Sequence, residues 1–304
     1  MCVKYTLREG ISHFYDMKNS EFISLLLEIS DKNNGILRDI RCVSKLDGLG
    51  ARFGKDTNNR IFIESSRSGP VFNIGDFFLH TIKQTDSIKV INRSTHYDDM
   101  LDLIQHQEFM NNIPADCKIV CEFFYTPMAE IFNNGYKFVN IVYDKNKVGN
   151  ILTISPYDVL IASTGEKHPN KDDILQYLYE KSNKDVMITS PELYLTEINI
   201  SSFINQLKRL LYGKETLLKS RKHKDKNDKI RLLESIQHIK IELSEYILNH
   251  SNIDGKFKFG DSIEGIVLYI PNSTNKIIPY KIVTKEFKEL QRNKDGSIKN
   301  NPKG

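Results

Sequence analysis

The first arrangement in this chain able to do covalent chemistry is a lysine followed two residues on by an aspartate and three on by a glycine. It is Lys45, with Asp47 and Gly48, inside the run Cys42 to Gly54, CVSKLDGLGARFG. A lysine attacks only as the free amine, so burial or neighbouring cations must help it lose its proton. Gly48 lets the backbone turn or come close to a ligand. Ile40 to Ser44 alternates apolar and polar residues and reads as a strand that delivers Lys45 at its end. A bend follows, then a second strand from Ala51, Arg52 and Phe53, so that the two read as a β-hairpin. A Lys–Asp pair on the surface of such a hairpin is the plain alternative to a nucleophile.

Further along, isolated charged and aromatic residues sit on or beside strand-like runs. Arg67 lies in SSRSGP, framed by small hydroxyl residues, where a guanidinium can meet an oxyanion. Glu122 lies within the apolar strand Cys117 to Tyr125, CKIVCEFFY, where a carboxylate needs a partner or a solvent-facing position. Tyr143 and Asp144 end the strand-like run Lys137 to Asp144, KFVNIVYD. Glu264 heads another apolar strand, EGIVLY, and a carboxylate beside a glycine there can face a phosphate–metal cluster. Lys281 follows 17 residues later in YKIVTK, and in an extended strand it shares a face with Val283 and Lys285.

Taken in order, KLDG, SRSG, CEFF, VYD, EGIV and YKIVTK resemble the motifs of the covalent nucleotidyltransferases, the ATP-dependent DNA and RNA ligases with their mRNA-capping relatives. The resemblance runs from Lys45 to Lys285. It implies that Lys45 attacks the α-phosphate of ATP and forms lysyl-N-AMP. It implies nucleotide contacts from Asp47, Arg52, Arg67, Glu122, Tyr143, Glu264, Lys281 and Lys285. Lys281 would act on the α-phosphate, and Glu264 would hold the divalent metal, Mg²⁺ or Mn²⁺. Whether Tyr143 or Phe138 stacks on adenine stays open. Two departures stand out: Cys121 replaces the usual small residue before the glutamate, and Val283 interrupts a Lys-x-Lys pattern.

The implied fold is α+β, with two packed antiparallel sheets, flanking helices and ATP between the sheets, an ATP-grasp-like adenylation domain. It would span residues 1–290, with a mostly helical insertion at about 171–250 and a flexible tail at 291–304. The implied activity is that of a polynucleotide ligase joining 5′-phosphate and 3′-hydroxyl ends, RNA ligase-like because only 19 residues follow Lys285, too few for an OB domain. A protein partner could supply that missing surface. A small DNA ligase and a non-catalytic nucleic-acid or nucleotide-binding protein are the alternatives.

The surrounding elements are read from periodicity. Residues 20–30 form a helix capped by Ser20, with Phe22, Leu25, Leu26 and Ile29 as its stripe. A helix spans 96–112, with His96 and His106 on the surface. A short strand runs from Asn150 to Ser155 and stops at Pro156, and helices are expected over 171–181, around 203–211 and over 230–248.

With 304 residues, 39% of them hydrophobic and 16 Phe with 14 Tyr, the chain can bury a large core. It shows no transmembrane run and no signal-peptide pattern, which reads as a cytoplasmic protein with no membrane partner. Four cysteines fit a reducing compartment. Cys117 and Cys121 share one strand face without a second ligand pair, which argues against structural zinc. The net charge is +4, and the segment 214–229, KETLLKSRKHKDKNDK, carries all of it with seven Lys or Arg against three acids. Such a stretch suits a phosphate backbone or a solvated loop.

Overall fold

The computed structural model describes residues 11–38, 40–46, 48–65, 68–83, 88–132, 135–137, 142–144, 150–183, 185–193, 197–212, 214, 226–250, 264–271 and 277–284. In chain order its strands are β1 Ser12–His13, β2 Ile36–Leu37, β3 Arg41–Lys45, β4 Leu49–Lys55, β5 Ile61–Ser65, β6 Cys117–Tyr125, β7 Glu130–Phe132, β8 Gly135–Lys137, β9 Val142–Asp144, β10 Leu152–Ile161, β11 Val186–Ile188, β12 Glu192–Leu193, β13 Ile198–Asn199, β14 Gly265–Pro271 and β15 Ile277–Val283. Its helices are α1 Asn19–Asn33, α2 Asp76–Ile82, α3 Ile88–Gln105, α4 Lys171–Tyr179, α5 Ser201–Leu211 and α6 Lys226–His250. The described residues form two compact units. Leu46–Pro191 makes a central unit, and residues up to Lys45 with those from Glu192 onward make a split unit.

The split unit is built on a five-stranded sheet of order β1-β15-β14-β3-β12, with β2 and β13 paired beside it. Its core forms because α1, α5 and α6 each carry an apolar stripe at helical spacing. Phe22, Leu26 and Ile29 meet Phe203, Ile204, Leu207 and Leu211, then Leu232, Ile236, Ile239, Leu243 and Ile247. The sheet answers with Cys42, Ile266, Leu268, Tyr280 and Ile282. Strand alternation therefore turns Val43, Lys45, Val267 and Lys281 to the opposite face. Among its described residues one lysine lies inside: Lys240 of α6, 2% exposed, donates to the Met17 carbonyl at 2.5 Å and to Asn19 Oδ1 at 2.5 Å. Burial pushes its pKa down. These bonds fasten α6 to the chain that leaves β1.

The central unit has a sheet of order β11-β10-β6-β4-β5 and a small one of order β7-β8-β9. Its core joins Ala51, Phe53, Ile63, Ile119, Cys121, Phe123 and Ile154 to Met100, Leu101 and Ile104 of α3 and to Ile174, Leu175 and Leu178 of α4. Cys117 and Cys121 are both in this core, and burial pushes the Cys117 thiol up to about 12 and Cys121 well above its usual range. Among the described residues no three His, Cys, Asp or Glu side chains converge as a metal cluster, and no helix is long and apolar enough to cross a membrane.

Several expectations need correction. β3 and β4 are not a hairpin. β3 pairs with β14 and β12, whereas β4 pairs with β5 and β6. Cys42 is claimed by one core and Ala51 with Phe53 by the other, so the two strands part at Leu46. The α+β class holds, with flanking helices, but neither five-stranded sheet is purely antiparallel, because β1 runs parallel to β15 and β11 to β10. Ser20 does not cap α1. The helix starts at Asn19, and its cap position, Lys18, makes no side-chain capping bond.

β10 does not stop at Pro156. It continues to Ile161 through a register shift between Pro156 and Asp158, the kind of irregularity that tolerates proline. Lys137 to Asp144 is not one strand, since β8 and β9 pair with each other. α3 begins at Ile88 and gives way to a 3-10 turn at Glu108–Asn112, and His96 is buried rather than on the surface. α4 packs in the central core, whereas α5 and α6 pack in the split core.

Candidate active site

Three strands of the split unit bring three charged side chains together. β3 ends at Lys45, which lies opposite Gly265, the first residue of β14. Glu264, immediately before that strand, receives the Lys45 ammonium on Oε1. The carboxylate side chain is 7% exposed and the lysine 25%. β15 contributes Lys281, opposite Val267. Burial lowers the pKa of Lys281 first and the charge of Lys45 lowers it further, while Glu264 and Asp16 act the other way. Two cations and an acid thus share a local field at one edge of strand ends.

Glycine makes this convergence possible. Gly265 has φ 154°, and a side chain there would collide with the Ile282 carbonyl oxygen. With only hydrogen at this position, β14 can run between β3 and β15 with Glu264 at its head. The Glu264 carbonyl accepts from the Thr284 N–H at 2.9 Å, which closes the end of the β14–β15 pair.

The central unit holds a second charged group. On β4 and β5, directly paired Arg52 and Glu64 form an ion pair at 3.2 Å, and Arg52 also donates to the Ser65 carbonyl at 3.4 Å. Lys118 of β6 reaches the same Glu64 oxygen at 3.0 Å. Glu122 lies opposite Gly50 on β4 and Ser155 on β10, half-buried, and a Cβ at Gly50 would stand 3.6 Å from Glu122 Oε1. Register sets Gly50, Arg52, Glu64, Lys118 and Glu122 on the face away from that unit's core. Gly48 has no room for a side chain: a Cβ would lie 2.8 Å from both the Phe123 carbonyl oxygen and the Phe124 ring.

The expected site residues are thus partly placed. Lys45, Glu264 and Lys281 converge in the split unit. Arg52 and Glu122 lie on one sheet face of the central unit, and the backbone of Tyr143 pairs with that of Tyr136. Asp47, Arg67, Phe138 and Lys285 lie outside the described residues, as does most of 214–229. Glu64, Lys118 and Asp16 were not singled out from sequence. The two cations that hold Glu64 could have been sought once β4, β5 and β6 were aligned, since alternation puts all three charges on one face.

A divalent cation fits the split-unit site in one way. Glu264 is a single buried carboxylate, and such ions are commonly held by one or two carboxylates together with substrate phosphate and water. Glu264 would supply the protein ligand.

No family model matches the sequence, and no curated protein matches it. Among solved structures, the chain is similar to a Naegleria gruberi RNA ligase mutant with ATP and Mn, at 10% identity and TM-score 0.39 over 94% of this chain and 58% of that one. An apo mutant of the same ligase gives 11% and 0.40 over 94% and 57%. An archaeal ATP-dependent RNA ligase gives 11% and 0.37 over 92% and 49%. The chain therefore spans about half or slightly more of those proteins' length. At these identities and scores the likeness carries no statement about chemistry.

Proposed function

We propose that this protein is an ATP-dependent polynucleotide ligase of the RNA-ligase kind, joining 5′-phosphate and 3′-hydroxyl ends through a lysyl-AMP intermediate. The observation that carries the reading is the convergence of Lys45 at the end of β3, Glu264 at the head of β14 and Lys281 near the end of β15. The ordered motifs from Lys45 to Lys281 support it. An amine beside a second cation is what attack on a phosphate requires. The adenylation-domain fold and its ATP-grasp-like description belong to the same proposal. So do the nucleotide contacts of Asp47, Arg52, Arg67, Glu122, Tyr143 and Lys285, and the polynucleotide as partner.

The chemistry runs in three steps. In the resting state the Lys45 side chain is paired with Glu264. Attack needs the free amine, so Lys45 first passes one proton to Glu264 or to solvent. The amine nitrogen then attacks the α-phosphorus. An N–P bond forms, the bond to the bridging oxygen breaks, and the electron pair leaves with pyrophosphate as the nitrogen gives up a second proton. Lys281 holds the α-phosphate oxygens while charge builds. A divalent cation, when bound, supplies further charge stabilisation at the phosphates. A polynucleotide 5′-phosphate oxygen next attacks the AMP phosphorus and frees Lys45. Finally a 3′-hydroxyl attacks the activated phosphate, a phosphodiester forms, and AMP departs with the electron pair.

The Lys45–Glu264 pair also suits a protein that binds nucleotide without turning it over, and one experiment decides. The protein is incubated with ATP and Mg²⁺ or Mn²⁺ and its intact mass is taken. A gain of one AMP is expected, and Lys45→Ala should lose it entirely. No adduct across metals and pH, with GTP tried as well, would leave the binding protein as the reading. A GMP adduct would redirect it to capping chemistry.

A further inference from the structure

The short strand β1 places a side chain on the lysine face that the six motifs do not include. β1 is parallel to β15 with Ser12 opposite Tyr280 and His13 opposite Lys281. Tyr280 is buried in the split core, so alternation sends Ser12 to the core side and His13 to the side of Lys281. The next residue confirms the direction: Phe14 turns back into the core and meets the Tyr280 ring edge-on at 6.3 Å. Tyr15 returns to the His13 side and stacks on the imidazole at 4.7 Å between centroids and 16° between planes. The strand is held there by α6, since Gln237 donates to the Tyr15 carbonyl at 3.1 Å and Lys240 to the Met17 carbonyl.

Across this sheet the order is β3 with Lys45, β14, β15 with Lys281, then β1 with His13. His13 therefore lies about 5 Å, one strand spacing, beyond Lys281 on the side away from β3. A chain of phosphates that begins at Lys45 and passes Lys281 meets His13 next. Lys281 alone is poorly matched to a highly charged leaving group: it brings a single charge, which burial and the neighbouring Lys45 both disfavour. A second N–H donor beside it is what such an anion needs.

We infer that His13, with Lys281, forms a subsite for the β- and γ-phosphates of ATP and for the pyrophosphate that leaves. The inference rests on the adenylation reading for its ligand. The stacked Tyr15 fixes the plane of the imidazole, so the ring can present an N–H donor to a phosphate oxygen without being ordered at the moment of binding. The role is distinct from that of Lys45 and Glu264, because AMP has no phosphate that reaches this far.

The test separates ATP from AMP. In a Lys45→Ala background, which stops turnover, dissociation constants for ATP and AMP are measured by calorimetry with Mg²⁺ present. His13→Ala should weaken ATP about tenfold, as loss of one charge-assisted hydrogen bond does, and leave AMP unchanged. His13→Gln, which keeps an N–H donor, should recover part of the ATP affinity, and it serves in place of alanine if that variant folds poorly. Unchanged ATP affinity overturns the subsite. Equal weakening of ATP and AMP overturns it too, because His13 would then act only through the fold of β1. Should ATP depend on His13 while the wild-type protein never gains AMP, the subsite stands and the adenylation reading falls. An AMP adduct with His13-independent ATP binding does the reverse: adenylation stands and the subsite falls. If the Lys45→Ala protein binds neither nucleotide and the wild-type protein gains no AMP, both fall.

Discussion

Each of the two large sheets has, on the side away from its helices, one carboxylate set beside two cations, and the two groups are wired differently. In the central unit Glu64, on the edge strand β5, takes both partners: Arg52 of the adjacent β4 at 3.2 Å and Lys118 of β6, one strand further in, at 3.0 Å. That group is closed: its acid sits between its cations. In the split unit Glu264 pairs with Lys45, while Lys281 feels both through the field. That group is open, at strand ends, with Lys45 a quarter exposed. A similar set of charges makes a closed brace in one place and, on the proposed reading, a reactive site in the other. The difference lies in position along the strand and in Gly265, which lets Glu264 reach the end of β3.

Exchanging one acid at a time gives the largest effects. Glu264→Ala should lower the rate of AMP adduct formation by about 10²–10³-fold, since it removes preorganised charge from the reacting centre. Its unfolding free energy should change by about 1 kcal/mol or less, because the remaining lysine can reach water. Glu64→Ala should do the opposite in denaturant titration and cost about 3–5 kcal/mol, because it leaves two largely buried cations without their shared acid. Equal stability losses in the two variants would erase the distinction between brace and site.

Lys281 sharpens the comparison on the open side. Lys281→Ala should slow adduct formation about a hundredfold, and Lys285→Ala should matter less. The reverse result would mean that the neighbouring register, not Lys281, meets the phosphate. The pH profile carries a sign as well. Burial and the charge of Lys45 make Lys281 release its proton below the 10.5 of an ordinary lysine. Its charge is complete below that lowered value and is lost as pH rises through it. The alkaline limb of kcat/KM for adduct formation should therefore fall early, and Lys281→Arg should move it upward because a guanidinium does not deprotonate. An alkaline limb that stays put in Lys281→Arg would assign it to another group.

Gly265→Ala should act on both properties at once. Its backbone conformation and the nearness of the Ile282 carbonyl predict a stability loss of more than about 1 kcal/mol. Displacing Glu264 should also slow the adduct. Stability loss with an unaffected rate would show that the glycine serves the sheet alone.

Much of this was legible where a single strand or helix carries its own signal. β3 ends at Lys45 as alternation requires, β6 runs from Cys117 to Tyr125 as read, and α6 buries the stripe that its three-and-four spacing marks. What could not be read is pairing between distant segments. β3 finds its partner β14 more than 200 residues later, so the local Lys-x-Asp-Gly bend looked like a hairpin. Pro156 looked like a stop because the bulge that tolerates it depends on β6 across the sheet. His96 looked exposed because polarity was judged without the packing that buries it. His13 belongs to a two-residue strand, too short for any periodic signal, and its meaning comes only from its register with Lys281. The Arg52 assignment came from order along the chain, whereas Glu64, which engages it, comes from pairing.

The smallest expected effect concerns the basic segment 214–229, which carries the whole net charge while the remaining residues sum to zero. Its described residues Lys214 and Lys226 are exposed. Cations that neutralise a polynucleotide backbone release counterions, so affinity falls with salt in proportion to the number of contacts. Lysines that only solvate a loop leave no such slope. Replacing Lys219, Arg221, Lys222, Lys224 and Lys226 with serine should leave AMP adduct formation unchanged, because those residues lie outside both charged groups. Binding of a 5′-phosphorylated oligonucleotide should weaken, and the plot of log affinity against log salt should become shallower by about one unit for each backbone contact removed. An unaltered slope would make the segment a solvated surface and send the search for the polynucleotide contact to Arg67. A slower adduct in the same variant would be more damaging, since it would mean that the open lysine site draws on charge from beyond its three strands.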